Sequence, residues 1–343
     1  MAEEFEQEDL EEVEEVEELI EEEVEIQPDD EDEGEAAAEE AAEVAEGEAE
    51  EAVEDATGLV FRKRGSLYKQ SAGMTTGALE RMLLSEFPAA DAESWDRTGM
   101  TVGDPARMVS GVAVALDPTI DAIEEAAKLG ANVLVTHHPA YLTAPDSFRP
   151  ASSVAQNPGA GVYCAIEEGV SLMSFHTALD MSARAQRVLP NKLSLVFEGV
   201  LVPLADSPEK GYGQVCSLGE GESLNLGQLA ARCMAVFGRP ARVWGDLSDK
   251  LERVVTCTGS AGEVAAAALD AKADCLVCGE IKYHDALDLS QAGLDIIELG
   301  HDVSELPLAE VLADAVRACG VPEDMVTIIE QNENWTYPET VRM

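Results

Sequence analysis

Five histidines, His137, His138, His176, His284 and His301, are the most versatile chemical groups in this 343-residue sequence. Each falls at or shortly beyond the end of a run that reads as a β-strand, and none on an amphipathic helix face. Sheets of α/β proteins gather their ligands outside the carboxyl ends of the strands, so this placement points to a shared site. Residues adjacent at a strand end point in different directions. The His137-His138 pair therefore suits two metal ions better than chelation of one. His176 and Asp180 are set four apart, as are His301 and Glu305; such pairs share a face where the chain turns into a helix. Gly300 permits a tight approach ahead of His301. Pooled, four segments offer three or four imidazoles and at least two carboxylates. That mixture suits Zn, Fe, Mn, Co or Ni, whereas Ca and Mg prefer oxygen shells. Two such cations bridged by a carboxylate, roughly 3.5–4 Å apart, would turn a bound water into hydroxide near neutral pH. In outline this is hydrolytic chemistry.

Strands and helices must carry these groups to one place. Residues 76–87 read as a helix with Leu79, Met82, Leu83 and Leu84 broadly on one face. A strand over 109–116, a helix over 120–129 stopped by Gly130, and a strand over 133–136 give a right-handed βαβ-type order. The order returns as a strand over 251–257, a helix over 262–271 and a strand over 275–278. At an offset of 142 residues the two stretches align without a gap. Between them lie a helical turn and strand (162–174), strand-rich stretches (195–203 and 214–217) and a helix (226–237). A late helix (309–319) and a last strand (325–329) complete the order. Cys275 and Cys278 form a C-x-x-C, but residues three apart in a strand point to opposite faces, so the pair reads as strand core. Asp96 reads as a turn cap and Trp95 as a core or interface residue.

The charge is uneven. Residues 1–55 hold 30 of the 69 acidic residues and no basic ones, leaving 39 acids against 22 bases beyond them. Residues 1–60 are expected to form a disordered acidic tail, a solubilising segment or else a docking arm for a basic partner. The acidic balance and the lack of basic clusters argue against a nucleic-acid groove. No apolar run approaches the ~18 residues of a membrane span. No secretory leader is evident, and seven scattered cysteines fit a reducing, cytoplasmic setting.

Five motifs, in order, resemble the GTP cyclohydrolase 1 type 2 homologue family of dinuclear-metal-centre proteins. They are Trp95-Asp96-Arg97-Thr98-Gly99-Met100-Thr101-Val102-Gly103, His137-His138-Pro139, His176 to Asp180, Gly279-Glu280 to His284, and Gly300-His301 to Glu305. The resemblance covers about residues 75–340. It implies metal ligation by His137, His138, Asp180, His301 and Glu305, with Asp180 or Glu305 bridging. It sets His176, Glu280 and His284 beside the site as supporting or acid/base groups. Met100 and Cys278 depart from the family's usual Leu and Thr. The fold expected is α/β, with two pseudo-symmetric α/β lobes facing each other across a dinuclear metal site. The lobes would span 70–190 and 191–343, with no inserted domain, and toroidal hexamers are implied. The function expected is hydrolysis of a small nucleotide-like or phosphorylated molecule by hydroxide on one of two divalent transition-metal ions. The alternative is non-enzymatic metal handling, metal delivery or regulation. No Walker-type phosphate loop is present.

Overall fold

The computed structural model describes residues 73–150, 159–331 and 335. The expected acidic tail lies outside them. In chain order the first elements are α1 (Thr76–Glu86), β1 (Gly99–Val102), β2 (Val112–Ala115), α2 (Ile120–Lys128), β3 (Val133–Thr136), α3 (Gly159–Glu168), β4 (Ser171–Ser174), α4 (Thr177–Asp180) and α5 (Val188–Lys192). Next come β5 (Val196–Leu204), β6 (Ser207–Ser217), β7 (Leu224–Asn225), α6 (Leu226–Phe237), β8 (Arg242–Trp244), β9 (Lys250–Leu251) and β10 (Arg253–Ser260). The last are α7 (Gly262–Asp270), β11 (Cys275–Glu280), α8 (Tyr283–Gln291), β12 (Asp295–Glu298), α9 (His301–Glu305), α10 (Leu308–Ala318) and β13 (Val326–Ile328).

Two mixed sheets organise these elements. One runs β1-β4-β3-β2-β13 and the other β5-β6-β10-β11-β12-β8; β7 and β9 form a separate pair. The inner strands β2, β3 and β4 are parallel, as are β10, β11 and β12. Their short apolar runs are buried on both faces, as parallel strands covered by helices must be. On one face of the first sheet, Leu79, Leu83 and Phe87 of α1 join Leu312 and Val316 of α10 over Val112, Val114 and Val135. On the other, Ile123 and Ala126 of α2 and Val162 and Ala165 of α3 cover Ala113, Leu134 and Leu172. The second sheet is layered in the same way. Leu226, Leu229 and Cys233 of α6 pack on Val254, Cys275 and Val277, while Val264 and Ala268 of α7 with Ala286 of α8 cover Val255, Leu276 and Ile296. Each fully buried Leu or Phe contributes about 1.5–3 kcal/mol.

The C-x-x-C cysteines fall into these two opposite cores, Cys275 in one and Cys278 in the other. The 142-residue offset is visible in the elements. It carries α2, 120–128, onto α7, 262–270, and the pairing Val112↔Val133 onto Val254↔Cys275. Two details differ from the sequence expectation. The expected lobe boundary at 190/191 leaves α10 and β13 in the second lobe, yet β13 pairs in parallel with β2 and α10 packs in the first sheet's core. The chain returns because the β2 edge and the apolar face beneath it would otherwise lie open. The sequence sets His284 shortly beyond a strand end and on no amphipathic helix face. It does follow β11 closely, but it sits in the first turn of α8, because the chain turns into a helix directly after Lys282.

Candidate metal centre

The parallel registers bring the chemistry together. Ala115 stands opposite Thr136 and Thr136 opposite Ser174. Two residues further along each chain are Asp117, His138 and His176. The backbone pins this corner: His137 N–H donates to Ala115 O at 3.3 Å and His138 N–H to Leu116 O at 2.9 Å. In the second sheet β12 leads through Leu299 and Gly300 into α9. Gly300 has φ 110°, a conformation that glycine tolerates without strain, and the helix begins at His301. One turn later Glu305 points back toward β10. There Gly259, at φ 60°, leaves it room, since a Cβ at that position would lie 2.2 Å from Glu305 Oε1. The Gly259 N–H donates to Ser304 Oγ at 2.8 Å, and Ser304 Oγ donates to His301 O at 2.8 Å, tying strand to helix.

Four imidazoles converge. Ring centroids are 4.8 Å apart for His137–His138, 5.1 Å for His137–His176, 5.4 Å for His138–His176 and 5.6 Å for His138–His301. Glu305 Oε2 lies 3.1 Å from His138 Nε2 and 3.2 Å from His301 Nε2. Glu305 Oε1 is 3.5 Å, and Asp180 Oδ1 3.7 Å, from His137 Nε2. Potential donor atoms fall into three overlapping groups, each within 4.8 Å: His137, His138 and His176; His138, His301 and Glu305; His137, Asp180 and Glu305.

Three of these histidines are oriented by carboxylates through Nδ1. Asp117 lies 2.7 Å from His138, Asp96 3.1 Å from His176 and Glu280 3.1 Å from His301. Each contact leaves Nε2 for the cluster, the arrangement by which metal-binding histidines are held. Asp96 does cap its turn, accepting from Arg97 N at 2.7 Å. A cap is only part of its role, because the buried carboxylate also accepts from Thr177 N at 2.9 Å and reaches His176. Trp95, expected in a core or interface, is 54% exposed with its ring edge-on to His176. Asp117 carries no signal in the sequence; only the β2–β3 register reveals it. His284 is not brought into the group. It is exposed on α8 with its ring against Tyr283.

His137 supplies the test of metal fit. Its side chain is fully buried, yet neither Nδ1 nor Nε2 has a hydrogen-bond partner, and buried Glu305 Oε2 also lacks one of acceptable geometry. Buried polar atoms without partners are costly, and a ligand set aimed at cations explains them. Protons stand in for those cations in the charge balance. Burial pulls the His138 imidazole down, but the adjacent Asp117 and Glu305 carboxylates prevail and push it up to about 10. The adjacent Glu305 carboxylate raises His301 to about 9 against burial. Burial acts to raise Glu305, yet the charges of His137, His138 and His301 hold it well below the usual carboxylate range. Burial raises Asp180, helped by Glu305 and opposed by His137.

A cavity of about 710 Å³ opens over the cluster, with His176, Asp180, His301 and Glu305 on its floor. Gln186 Nε2 donates to Asp180 O at 2.7 Å and to Gly211 O at 2.6 Å, fastening the α4 turn to β6 beside it.

The fold and site define a mixed α/β protein whose strand ends meet in buried clusters of histidine and carboxylate able to hold metal ions. The chain belongs to the Duf34/NIF3 (NGG1p interacting factor 3) family, whose model matches residues 74–334. A Streptomyces coelicolor protein named GTP cyclohydrolase 1 type 2 homolog is 31% identical over 234 residues, covering 66% of this chain and 79% of its own. The crystal structure of Staphylococcus aureus hypothetical protein SA1388 shares the fold with a TM-score of 0.68 at 22% identity, over 77% of this chain and 99% of that one. That of a Bacillus cereus protein related to NIF3 has a TM-score of 0.65 at 20% identity, over 74% and 95%. Among the described residues no helix is long and apolar enough to cross a membrane.

Proposed function

We propose that this chain is a dinuclear metal-dependent hydrolase acting on a small, nucleotide-like molecule admitted by the cavity. The observation that carries the reading is the convergence of three overlapping donor groups, of which His176, Asp180, His301 and Glu305 line one cavity. His137, His138, Asp180, His301 and Glu305 are the proposed ligands. Glu305 would bridge, because it is the one carboxylate common to two of the groups, whereas Asp180 belongs to one. His176 joins His137 and His138 in the third group, so it serves as a further ligand or as a proton carrier steadied by Asp96. Two divalent cations of the Zn, Fe, Mn, Co or Ni class would supply Lewis acidity and an activated water. Glu280, half-exposed and 3.1 Å from His301 Nδ1, would take and return protons beside that imidazole. Because His284 stands apart, proton handling rests on Glu280 and His176. The coincidence of elements at the 142-residue offset supports two pseudo-symmetric lobes that share the site. A cytoplasmic location and toroidal hexamers belong to the same proposal.

A second reading, metal handling or delivery, draws on one observation. His301 is 37% exposed and Glu280 55%, an edge through which an ion could exchange. Elemental analysis joined to a hydrolysis screen separates the two. We expect about two transition-metal ions per chain, their loss in Glu305→Ala, and loss of hydrolysis with them. Unchanged stoichiometry in the variant overturns the ligand assignment. Metal that is bound and readily surrendered to a chelator, with no hydrolysis of any tested substrate, favours handling.

A further inference from the structure

The walls of the cavity differ in character from its floor. Trp95 lines it, and so do Tyr212, Val202, Pro203 and Leu204 of the β5–β6 hairpin. Among the described residues that line the space there is no lysine or arginine, whereas Glu93 and Glu263 add their carboxylates to those of Asp180 and Glu305. Nor would a loaded floor be strongly cationic. Two divalent ions bring four positive charges. Five carboxylates, Asp96, Asp117, Asp180, Glu280 and Glu305, already lie against the four imidazoles. A triphosphate needs side-chain cations or a surplus of metal charge to replace its hydration, and this lining provides neither. A flat, uncharged ring finds what it needs: aromatic and aliphatic surface on which to stack, above a polar floor that can orient it.

We infer that the cavity selects a neutral or cationic planar heterocycle, stacked by Trp95 and Tyr212, over the phosphorylated form of the same molecule. For the chemistry after binding, the inference rests on the hydrolase reading. It narrows the expected nucleotide-like or phosphorylated class to base- or nucleoside-like compounds.

The test uses the full chain loaded with Mn²⁺ or Zn²⁺ and titrated calorimetrically at fixed ionic strength. Guanosine and adenosine are compared with their 5′-triphosphates, and metal retention is checked in every sample. Each nucleoside should bind at least about tenfold more tightly than its triphosphate. Trp95→Ala and Tyr212→Ala should each weaken nucleoside binding at least about fivefold, as loss of a stacking ring does, with metal content unchanged. Tyr212→Phe should restore binding. Val202→Lys, which puts a cation on a wall position, should narrow the preference by strengthening triphosphate binding. Triphosphates that bind as tightly as nucleosides or more so, no nucleoside binding, or alanine variants that bind normally would each overturn the inference. Hydrolysis is measured in the same samples. Nucleosides bound but never cleaved count against the hydrolase reading alone, and triphosphates bound more tightly and cleaved count against the inference alone.

Discussion

Replacing Gly259 by alanine should weaken metal binding at the proposed site without replacing a ligand. The new Cβ would stand 2.2 Å from Glu305 Oε1, where ordinary contact begins at 3.4 Å, so the carboxylate must retreat by more than 1 Å. It has little room, because Glu305 is 3% exposed and its helix is bound to Gly259 itself through Ser304. The backbone adds a separate penalty. At φ 60° a residue with a Cβ is strained by about 1–2 kcal/mol, which in a folded unit of this size lowers Tm by about 2–4 °C per kcal/mol. Gly262→Ala isolates that second effect, since Gly262 has φ 47° and a Cβ added there would meet nothing within 4 Å. Both variants should lose a few degrees of metal-free stability. Only Gly259→Ala should weaken metal binding, by about 10–100-fold, the range seen when a group supporting a ligand is disturbed. Competition against a chromophoric chelator, with elemental analysis of the dialysed protein, measures this. If the two variants hold metal equally well, Glu305 is not where the metal binds and the site is wrongly built.

The carboxylates around the histidines give the remaining predictions. Asp117→Asn keeps the shape but removes the charge that orients His138 at 2.7 Å, so metal affinity should fall about 10–100-fold while the fold persists by circular dichroism. Metal uptake should also release protons. His138 and His301 rise from 6.5 to about 10 and about 9, so at pH 7 both carry protons that a cation must displace, and affinity should climb with pH across 7–9. Calorimetry in buffers of different ionisation enthalpy reads the release directly, and a buffer-independent heat would refute it. The same shifts set the pH response of the metal-free protein. Their stabilisation is complete below the unfolded value of 6.5 and is lost as pH rises through about 9 and then about 10, so the metal-free Tm should decline over that window.

Legibility in the sequence tracks the strength of local patterns. The helix over 226–237 is read to the residue, because a capping box of Asn225 and Gln228 opens it and Gly238 at φ 67° closes it. The strands 133–136 and 275–278 stand out as β-branched and apolar runs between turns. The α8 helix, whose one fully buried residue is Ala286, lies outside the helices that the sequence marks. Four of the five histidines do gather as their strand-end positions imply, but the groups that support them are hidden. Asp117 sits beside a proline in an apparent turn, and nothing local shows that the β2–β3 register sets it opposite His138. Trp95 reads as core because it is large and apolar. Its exposure at the rim is a tertiary fact that composition does not encode.

The two halves of the chain contribute unequal chemistry, and that inequality explains why the site needs both. His-x-x-x-Asp180 comes after the third parallel strand of the first sheet, and His-x-x-x-Glu305 after the third parallel strand of the second. The 142-residue offset carries His138 onto Glu280, so one strand end offers an imidazole where the other offers a carboxylate. Residues of the first half alone form the group His137, His138 and His176, which has no carboxylate to balance a dication. Both groups that include a carboxylate draw Glu305 from the second half and a histidine from the first. Every donor group that includes a carboxylate thus spans both halves. The helix α10, which follows α9 in the chain, packs in the first sheet's core and so ties the second half's donors to the first.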